Sequence, residues 1–477
     1  MNFKKIKTLI FFSMAVLLCF LMLSCTSEST DKPSSQPNET PVVPNKVTVV
    51  DPEYIFVYDL NGIARVKQDD TGRITEVVTL DPITLTAPFS NDDNHISRYN
   101  YDENGNLTSF SYFGNEFDVT LTDENGRAIG ALCDDTSMHI TAELSYFDNG
   151  IVSEEKFYQD GKTVNINKYN EKGIPVSFFY DEFGEMTFTY SGSEVYIQIV
   201  GTDSNEMPGV TLYLNEYGYP SYSVQEAEGA VSQTRWTYDD TNRCIDAFIE
   251  NTYDGMVYKE EYEIYYGDNG NIDEILYLSP DKDGNPITTK VIVYSYDKNG
   301  NQIKRSEEFR NEDGTVQKNV STELSGDVVI TTTENYSNGL VESKSVNKTE
   351  YDNEKRAVKA ELFYYSASGE LSSSNYSEYT YNTYGSLSKR VTDVYDKDNM
   401  HLYCMEVDYK YNDKKQVELV TYSVYGNGDE LLEKEIDEFI YNDKGETVKQ
   451  IVSLYDSNEK LVSVTEYDAE GNVISQK

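Results

Sequence analysis

The chain has 477 residues, of which 83 are acidic and 40 are basic, so its formal net charge is −43 at pH 7. This balance excludes nucleic acid and anionic membrane surfaces as partners of the folded body, because both require a basic patch that neutralises phosphate. The acidic residues are spread along the chain rather than gathered in a tail. We attribute them to solubility and self-repulsion outside the cell, ahead of a specific cationic partner.

Residues 1–24 have the organisation of a signal peptide. Three lysines, at positions 4, 5 and 7, form a basic start, and residues 9–23 are almost wholly apolar, which is short for a membrane-spanning helix. The segment ends in LMLSC, which resembles the bacterial lipobox with Ser24 at the cleavage position. The resemblance implies that Cys25 becomes the lipid-modified first residue of the mature protein. The alternative is a plain secretory signal with an incidental cysteine.

Residues 25–50 are predicted to be a disordered tether. The stretch TSESTDKPSSQPNETPVVPN consists mainly of Ser, Thr, Pro and acidic residues, and it buries too little apolar surface to offset its ordering entropy. Removing the leader takes three lysines with it and changes the net charge from −43 to −46. We therefore expect an exported protein, anchored to the bacterial cell envelope by lipid at Cys25, with its body outside the cytoplasm.

From residue 51 onward, turn signals recur at short intervals. Asn-Gly and Asp-Gly favour type I′ hairpin turns, which need positive φ at both central residues. The segments between them are rich in Val, Ile, Thr, Tyr and Phe and show no helical periodicity. The dipeptides begin at Asn61, Asn104, Asn125, Asn149, Asp160, Asp254, Asn269, Asp283, Asn299, Asp313, Asn338 and Asn427. The sequence thus predicts an all-β fold, a long antiparallel β-meander of hairpin repeats.

The spacing of the aromatic residues that lead into turns sets the repeat length. From Tyr351 to Tyr455 the steps alternate between 14 and 16 residues, which makes a 30-residue unit of two strands and two turns. Between residues 147 and 190 the steps are 10 or 11 residues. We predict short-step hairpin repeats over residues 51–232 and 30-residue, two-strand repeats over residues 233–477. Because both use the same pattern, we expect one continuous sheet that changes width near Gln233.

Neither face of the predicted strands is purely apolar. In QVELVTYSVY, residues 416–425, apolar and polar side chains occur on both faces, and hydrophobic residues make up 38% of the chain. A sandwich core shows sharper alternation. We therefore expect a twisted or curled, solenoid-like extended sheet, largely one layer thick, that cross-strand aromatic and Thr pairs stabilise.

One short motif recurs through the body. It reads YNYDENGNL from Tyr99, WTYDDTNRCI from Trp236 and YSYDKNGNQI from Tyr294. These motifs resemble the YD repeat of the RHS/YD-repeat family, and degenerate copies cover most of residues 54–477. The resemblance implies antiparallel hairpins joined into a curving sheet, and we expect the usual conserved arginine of that family to be missing. MORN-like repeats, with similar glycine turns and aromatics, are the second resemblance.

Acidic turns are the first candidates for chemistry. A calcium-binding loop begins with two aspartates separated by one residue, and this spacing occurs at Asp281 and Asp283 and at Asp396 and Asp398. Neither continues with the further ligand and the glutamate that an EF-hand loop requires. We predict solvated turns at both places, and we expect Asp102 and Glu103 in the first motif to be solvated as well.

Histidines and cysteines occur singly rather than in ligand-like spacing. No Cys-x-x-Cys or Gly-x-Ser-x-Gly motif is present, so the sequence supports neither a metal site nor nucleophilic catalysis. The body cysteines are expected to be single buried side chains. These residues are His95, His139, His401, Cys133, Cys244 and Cys404. No enzyme activity, cofactor or metal is predicted.

Pairs of aromatic residues two positions apart are the one suggestive feature. Such residues lie on the same face of a strand, so stacked repeats would align them into a ladder for sugar rings or an extended peptide. The alternative, which we favour, is that they are the cross-strand contacts of the fold itself. The candidate ladder consists of Tyr99, Tyr101, Trp236, Tyr238, Tyr294, Tyr296, Tyr379, Tyr381, Tyr409, Tyr411, Phe439 and Tyr441.

These observations lead to an expected function. We expect a non-catalytic, lipid-anchored bacterial surface protein whose YD-like sheet serves as a binding or scaffold surface for another macromolecule, a protein or a glycan. The alternative is a carbohydrate-binding surface lipoprotein that uses the Tyr/Trp ladder. An enzyme with dispersed acids is a distant third, which a converging acid pair in a deep pocket would favour.

Overall fold

A computed structural model of the chain describes residues 54–477, apart from residues 60–61, 87–94, 113, 134–139, 160, 182, 203–205, 228, 254, 414–415, 443–446 and 470. The predictions for the signal peptide, the lipid-modified Cys25 and the tether lie outside the described residues. So do those for Asn61, His139, Asp160 and Asp254.

The described residues form an all-β structure. Thirty-three strands belong to one antiparallel sheet in which strands pair with their neighbours along the chain. The predicted long antiparallel meander is therefore confirmed. In the part of the chain that the structure describes, no helix is long and apolar enough to cross a membrane.

The strands lengthen along the chain. The first sixteen are 5–9 residues long: β1 (Ile55–Asp59), β2 (Gly62–Gln68), β3 (Ile74–Thr79), β4 (Ile96–Tyr101), β5 (Leu107–Tyr112), β6 (Asn115–Thr122), β7 (Ala128–Cys133), β8 (Ile140–Tyr146), β9 (Val152–Gln159), β10 (Lys162–Tyr169), β11 (Pro175–Tyr180), β12 (Gly184–Ser191), β13 (Glu194–Val200), β14 (Glu206–Leu214), β15 (Pro220–Ala227) and β16 (Ala230–Tyr238).

The next fifteen strands are 9–12 residues long, and the last two are shorter. They are β17 (Cys244–Tyr253), β18 (Met256–Tyr266), β19 (Ile272–Pro280), β20 (Pro286–Tyr296), β21 (Gln302–Arg310), β22 (Val316–Ser325), β23 (Val328–Ser337), β24 (Leu340–Tyr351), β25 (Ala357–Tyr365), β26 (Leu371–Tyr381), β27 (Leu387–Asp396), β28 (His401–Tyr411), β29 (Val417–Gly426), β30 (Leu431–Tyr441), β31 (Thr447–Tyr455), β32 (Leu461–Asp468) and β33 (Val473–Gln476).

Most turns are not of the predicted type I′. At Asn104-Gly105 only the glycine has positive φ, +83°, and its N–H donates to the Asp102 carbonyl at 2.9 Å. This is a type I turn followed by a left-handed residue and a bulge. At Asn338-Gly339 both residues have positive φ, as the type I′ prediction requires. The type I turn with its bulge forms instead of the two-residue type I′ turn because the residue at the start of the turn, such as Asp102, stabilises it.

In most of the turns that first residue is an aspartate or asparagine that bonds the turn backbone, whereas Phe147, Gly267, Ser366 and Gly426 begin others. The Asp102 Oδ1 accepts the N–H groups of Asn104 and Asn106 at 2.9 and 2.8 Å, and the exposed carboxylate is therefore more than a solvated group. The Asn382 Oδ1 accepts two turn N–H groups in the same way, at 2.9 and 3.0 Å. Local side-chain-to-backbone bonds of this kind are why Asp and Asn favour turns.

Arginine stabilises four of the turns. In each of them an arginine four residues after the turn aspartate binds its carboxylate, with a 2.7 Å contact from Nη2 to Oδ2. The Arg356 guanidinium also lies over the Tyr381 ring, 4.7 Å from its centroid. The four arginines are Arg73, Arg127, Arg243 and Arg356.

The described residues divide into two compact units. The N-terminal unit contains residues 54–264 and 277–285, and the C-terminal unit contains residues 265–276 and 286–477. This division falls later than the boundary near Gln233 that the repeat spacing predicts. The boundary at Gln233 stays a prediction about the repeats.

The sheet of the N-terminal unit is curled, as predicted, and it encloses a thicker aromatic core than a largely single-layered sheet would have. The rings of Phe110 and Phe117 stack at 4.7 Å, and Phe157, from the distant strand β9, meets both edge-on at 6.2 and 5.7 Å. All three side chains are under 2% exposed. Such contacts between non-adjacent strands require the sheet to curl onto itself within this unit.

Two turns of the N-terminal unit also meet closely. The Gln68 side-chain amide donates to the carbonyls of Gly72 and Lys172, at 2.9 and 2.8 Å. A Cβ atom on Gly173, whose φ is +72°, would lie 2.2 Å from the Gly72 carbonyl oxygen. Glycine is therefore required at Gly173 for both conformation and space.

The C-terminal unit is thin, as expected. Among its described residues beyond Ile292, the buried hydrophobic ones are Val394, Val407 and Val420. Cross-strand ring contacts, such as Phe363 with Tyr376 at 5.8 Å, and hydroxyl contacts, such as Thr322 with Thr331 at 3.3 Å, tie its strands together. Neighbouring strands thus supply most of its contacts.

Candidate functional site

The second aromatic residue of each ladder pair is a tyrosine that bonds the preceding strand. Its hydroxyl donates to the carbonyl of the first residue of that strand, for example Tyr381 to Ala357 and Tyr411 to Leu387, both at 2.7 Å. The other four bonds are Tyr101 to Ile74, Tyr238 to Pro220, Tyr296 to Ile272 and Tyr441 to Val417. A ligand would have to compete with these bonds for the hydroxyl groups.

The first aromatic residue of each pair lies deeper or equally deep. Tyr99 and Trp236 are buried, and the Trp236 indole N–H donates to the Pro82 carbonyl at 3.0 Å. The other four first residues, Tyr294, Tyr379, Tyr409 and Phe439, are half-buried. The most buried members of the ladder therefore belong to the core of the N-terminal unit.

The structure staggers the ladder rather than aligning it. Tyr379, on β26, lies opposite Val407 of β28 across Arg390, and Tyr409, on β28, lies opposite Asp437 of β30 across Val420. Successive ladder residues are therefore displaced by two residues along the strand as well as by two strand separations. The intervening positions carry other side chains, so these aromatics do not form a continuous stack.

The accessible aromatic on this face is one that the sequence pattern missed. Tyr422 on β29 is 38% exposed and lies directly opposite Val407 on β28 and Glu435 on β30. It belongs to no i, i+2 aromatic pair of the repeat motif, so the pattern gave no signal for it. Strand register alone places it on the face that holds Tyr409 and Phe439.

Three carboxylates accompany Tyr422. Glu433, Glu435 and Asp437 alternate along β30 and so share its face. Burial raises the pKa of Glu435, and the charges of Asp437 and Glu433 raise it further. Burial also raises the pKa of Asp437, against a hydrogen bond from Gln450 that lowers it. We call these three residues the β30 acidic row.

A different polar cluster is enclosed in the N-terminal unit. Glu155 is 2% exposed, and its Oε2 accepts bonds from the Tyr169 hydroxyl at 2.9 Å, the Asn167 amide at 3.0 Å and the Tyr99 hydroxyl at 3.3 Å. Burial raises the pKa of Glu155, although these bonds lower it. Three donors to one oxygen organise the core, and the enclosed position favours a structural role.

His401, Asp393 and Cys404 also meet, across β27 and β28. The His401 Nε2 lies 3.0 Å from the Asp393 Oδ1, and Asp393 is paired directly with Cys404. Burial and the Asp393 charge raise the pKa of the Cys404 thiol to about 11. The thiol is therefore protonated at neutral pH and is not an activated nucleophile. Cys133 and Cys244 are buried as expected, whereas Cys404 is half-buried.

The acidic turns act as turn residues. The Asp281 Oδ1 accepts the N–H groups of Asp283 and Asn285, both at 2.8 Å, and the Asp396 Oδ1 accepts those of Asp398 and Met400, at 2.9 and 2.8 Å. Among the residues that the structure describes, no group of three or more His, Cys, Asp or Glu side chains could hold a metal ion.

Comparisons with solved structures show distant likenesses. The TcdB2-TccC3 structure without its hypervariable C-terminal region aligns over 89% of this chain and 26% of that chain, at 12% identity and a TM-score of 0.32. The Photorhabdus luminescens Tc holotoxin pore aligns over 87% and 27%, at 11% identity and a TM-score of 0.29. A porin-like protein from Bacteroides vulgatus aligns over 65% and 100%, at 12% identity and a TM-score of 0.19.

The chain spans about a quarter of the length of the toxin structures that it matches. No protein-family profile matches the chain, and no curated protein matches it. The regular meander itself places the chain among repeat proteins built from antiparallel β-hairpins.

Proposed function

We propose that this chain is a non-catalytic, lipid-anchored bacterial surface protein whose repeat sheet binds or scaffolds another macromolecule. The observation that carries the binding role is a row of exposed apolar side chains, one per two-strand repeat. Leu402, Leu432 and Val462 are 30 residues apart and 47%, 47% and 64% exposed. Each is the second residue of its strand, where the register shifts by one residue after the turn.

This row lies along one edge of the C-terminal unit because alternate turns of a meander share an edge. Neighbouring members are two strands apart and staggered along the strand direction, because Leu431 lies opposite Cys404 rather than His401 across β29. Aligned apolar side chains exposed in successive repeats are typical of an extended interaction surface. An elongated partner is the kind of macromolecule that such a row would fit.

The binding role is tested by retention of the chain on isolated cell-envelope macromolecules. Replacing the row by Leu402→Gln, Leu432→Gln and Val462→Thr should lower retention about 10-fold, because the central apolar contacts of an interface carry most of its affinity. A matched control replaces three exposed apolar residues outside the row, by Leu121→Gln, Leu340→Gln and Val473→Thr. Equal retention of both triple variants would remove the row from the proposal, and no retention of the unaltered chain would refute the binding role.

The anchor is tested by labelling cells with a radioactive fatty acid. We expect label on the chain, and none on the Cys25→Ala variant, because the Cys25 thiol is the acceptor of the lipid. An unlabelled chain that is still exported would favour the plain secretory signal.

Glycan binding is the second candidate function. It is favoured by Tyr422, an exposed ring beside carboxylates on the face that also holds Tyr409 and Phe439. Aromatic faces and polar neighbours are what sugar rings need. The test is retention on a panel of cell-wall and host glycans, with the Tyr422→Ala variant as control. Retention of neither protein across the panel would refute this candidate.

A further inference from the structure

We infer that the β30 acidic row and Tyr422 bind an extended peptide segment with lysine or arginine at every second position. This inference rests on the proposed binding function and names a partner chemistry for one face of the C-terminal unit. It concerns Glu433, Glu435, Asp437 and Tyr422, which are distinct from the apolar row along the edge.

The spacing of the row matches an extended chain. Carboxylates on alternate residues of a strand are repeated about every 6.8 Å, and basic side chains on alternate residues of an extended peptide are repeated at the same interval. A peptide that crosses this face along β30 would therefore place one cation at each carboxylate. Bonds between a charged donor and a carboxylate are roughly twice as strong as neutral ones.

The row also lacks the ion pairs found on the opposite face of the neighbouring strands β27, β28, β31 and β32. There, Lys389 pairs with Glu406 at 2.9 Å and Lys449 pairs with Glu466 at 2.7 Å. Within the described part of the C-terminal unit, none of the three β30 carboxylates has a lysine or arginine at ion-pair distance. Their cross-strand neighbours on β29 are Val424, Tyr422 and Val420. Arg390, on β27, faces Tyr422 across Val407, and its charge lowers the pKa of Tyr422. It lies three strands from β30, so the row keeps a local surplus of negative charge.

Asp437 differs from the other two members of the row because it is buried and incompletely hydrogen-bonded. It is only 9% exposed, its Oδ2 accepts a bond from the Gln450 amide at 3.3 Å, and its Oδ1 is buried without a partner. Val420 and Val452 are its direct neighbours on either side. A buried carboxylate oxygen with no partner is unfavourable unless another group compensates it.

Tyr422 supplies the aromatic part of the site. Directly paired residues on adjacent strands have Cβ atoms about 5 Å apart, so a cation above the Tyr422 ring also reaches the carboxylate of Glu435, its paired residue. Cation–π attraction to an exposed tyrosine then adds to the charge attraction. A lysine or arginine side chain fits this combination, and a metal ion does not gain from the ring.

The experiment measures peptide binding to the full chain in detergent by calorimetry. The two probes, Lys-Thr-Lys-Thr-Lys-Thr and Lys-Lys-Lys-Thr-Thr-Thr, have the same composition and charge. Salt at about 0.15 M screens the general attraction of both peptides to an acidic protein. We expect the alternating peptide to bind about 10-fold more tightly than the blocked one, since it places three lysines on the row whereas the blocked peptide places two.

The variants separate the row from overall charge. Glu435→Gln with Asp437→Asn should abolish the preference for the alternating peptide. The control, Glu103→Gln with Glu124→Gln, makes the same charge change at exposed turn residues and should keep it. Tyr422→Ala should weaken binding with no change of charge. Thermal unfolding of each variant verifies the fold. The row variant should be at least as stable as the unaltered protein, since the substitutions remove a buried charge.

Three outcomes would overturn the inference. They are equal binding of the two peptides, equal loss in the row and control variants, and tighter binding of a glucosamine oligomer that the row variant abolishes. If the peptides fail while envelope macromolecules still retain the chain, the inference fails and the proposed function stands. If nothing retains the chain, both fail.

Discussion

At the scale of single residues, the tyrosine hydroxyl explains why the repeat motif keeps tyrosine at its second aromatic position. Phenylalanine would fill the same space but could not donate to the carbonyl of the preceding strand, as Tyr411 does to Leu387. In a thin sheet with few buried residues, such bonds contribute a larger share of the stability than they do in a thick core. The motif is therefore a structural element before it is a binding element.

The first prediction removes one such hydroxyl. Tyr411→Phe should lower the free energy of unfolding by about 0.5–1.5 kcal/mol, because the Leu387 carbonyl loses its donor. Urea denaturation measures the change. Tyr364→Phe is the matched control, since Tyr364 is 42% exposed and carries a similar ring. Equal changes in the two variants would show that the bond contributes nothing.

The second prediction concerns Glu155. Because its pKa is raised in the folded protein, its contribution to stability is full below the ordinary pKa of a glutamate and is lost as the pH rises through the raised value. Glu155→Gln keeps an oxygen that accepts bonds from the three donors, and it removes the decrease in stability at high pH because glutamine does not ionise. The melting temperature of the variant should therefore rise relative to that of the unaltered protein as the pH increases from 4 to 8.

Thermal melts across that pH range measure this difference. Glu124→Gln, at an exposed turn residue, is the control and should show no such trend. A Glu155→Gln variant whose melting temperature falls relative to the unaltered protein as the pH rises would show that the ionised carboxylate stabilises the core.

At the scale of elements, the hairpin turn is the unit that the sequence repeats. The glycine position accepts left-handed residues other than glycine, namely Asn242, Lys355, Asn399, Asp429 and Glu459, with φ between 57° and 61°. These residues bear a strain that glycine avoids. The aspartate or asparagine at the start of the turn is used more consistently than the glycine, because it bonds two backbone N–H groups at once.

The third prediction tests the turn aspartate at Asp297. Its Oδ1 accepts the N–H groups of Asn299 and Asn301 at 2.8 and 2.9 Å, and its pKa is lowered by bonds from the Asn301 side chain and backbone. Asp297→Asn keeps the acceptor and should leave hydrogen exchange of both amides unchanged at pH 7. Asp297→Ala should increase that exchange.

The pH dependence follows from the direction of the shift. A lowered pKa means that the stabilisation is present above the ordinary aspartate pKa and is lost as the pH falls through the lowered value. The difference between the unaltered protein and Asp297→Ala should therefore shrink in acid, whereas Asp297→Asn should lack this acid dependence. Identical exchange in all three proteins at pH 7 would exclude the proposed role of the side chain.

At the scale of the whole molecule, the two units differ in how they are stabilised. The N-terminal unit joins strands far apart in sequence, as in the contact of Phe110 with Phe157. The C-terminal unit relies on neighbouring strands, and three hydrophobic residues beyond Ile292 are buried. Local opening of a repeat array needs only the loss of contacts with its neighbours.

The fourth prediction follows from this contrast. Amide hydrogen exchange should be slower in β5–β9 of the N-terminal unit than in β22–β26 of the C-terminal unit, because opening the former also breaks contacts between distant strands. Mass spectrometry of peptic fragments measures both regions in one experiment. Equal protection, or faster exchange in β5–β9, would show that the thick core adds no cooperative stability.

The sequence by itself determined the all-β class and the long antiparallel meander of hairpins. These depend on local turn chemistry and on alternation along a strand, which act over a few residues. Turn type was predicted wrongly because the Asp102 side chain selects a longer turn than Asn104-Gly105 alone favours.

Only the tertiary structure decided which faces meet. The enclosure of Glu155 by Tyr99 and the packing of Phe110 on Phe157 join residues about 50 positions apart, and no local periodicity encodes such a pairing. The same holds for Tyr422 and the β30 acidic row, because strand register brings together residues that belong to no common motif. Local rules act along the chain, whereas the curling of a sheet depends on the summed burial of many distant side chains.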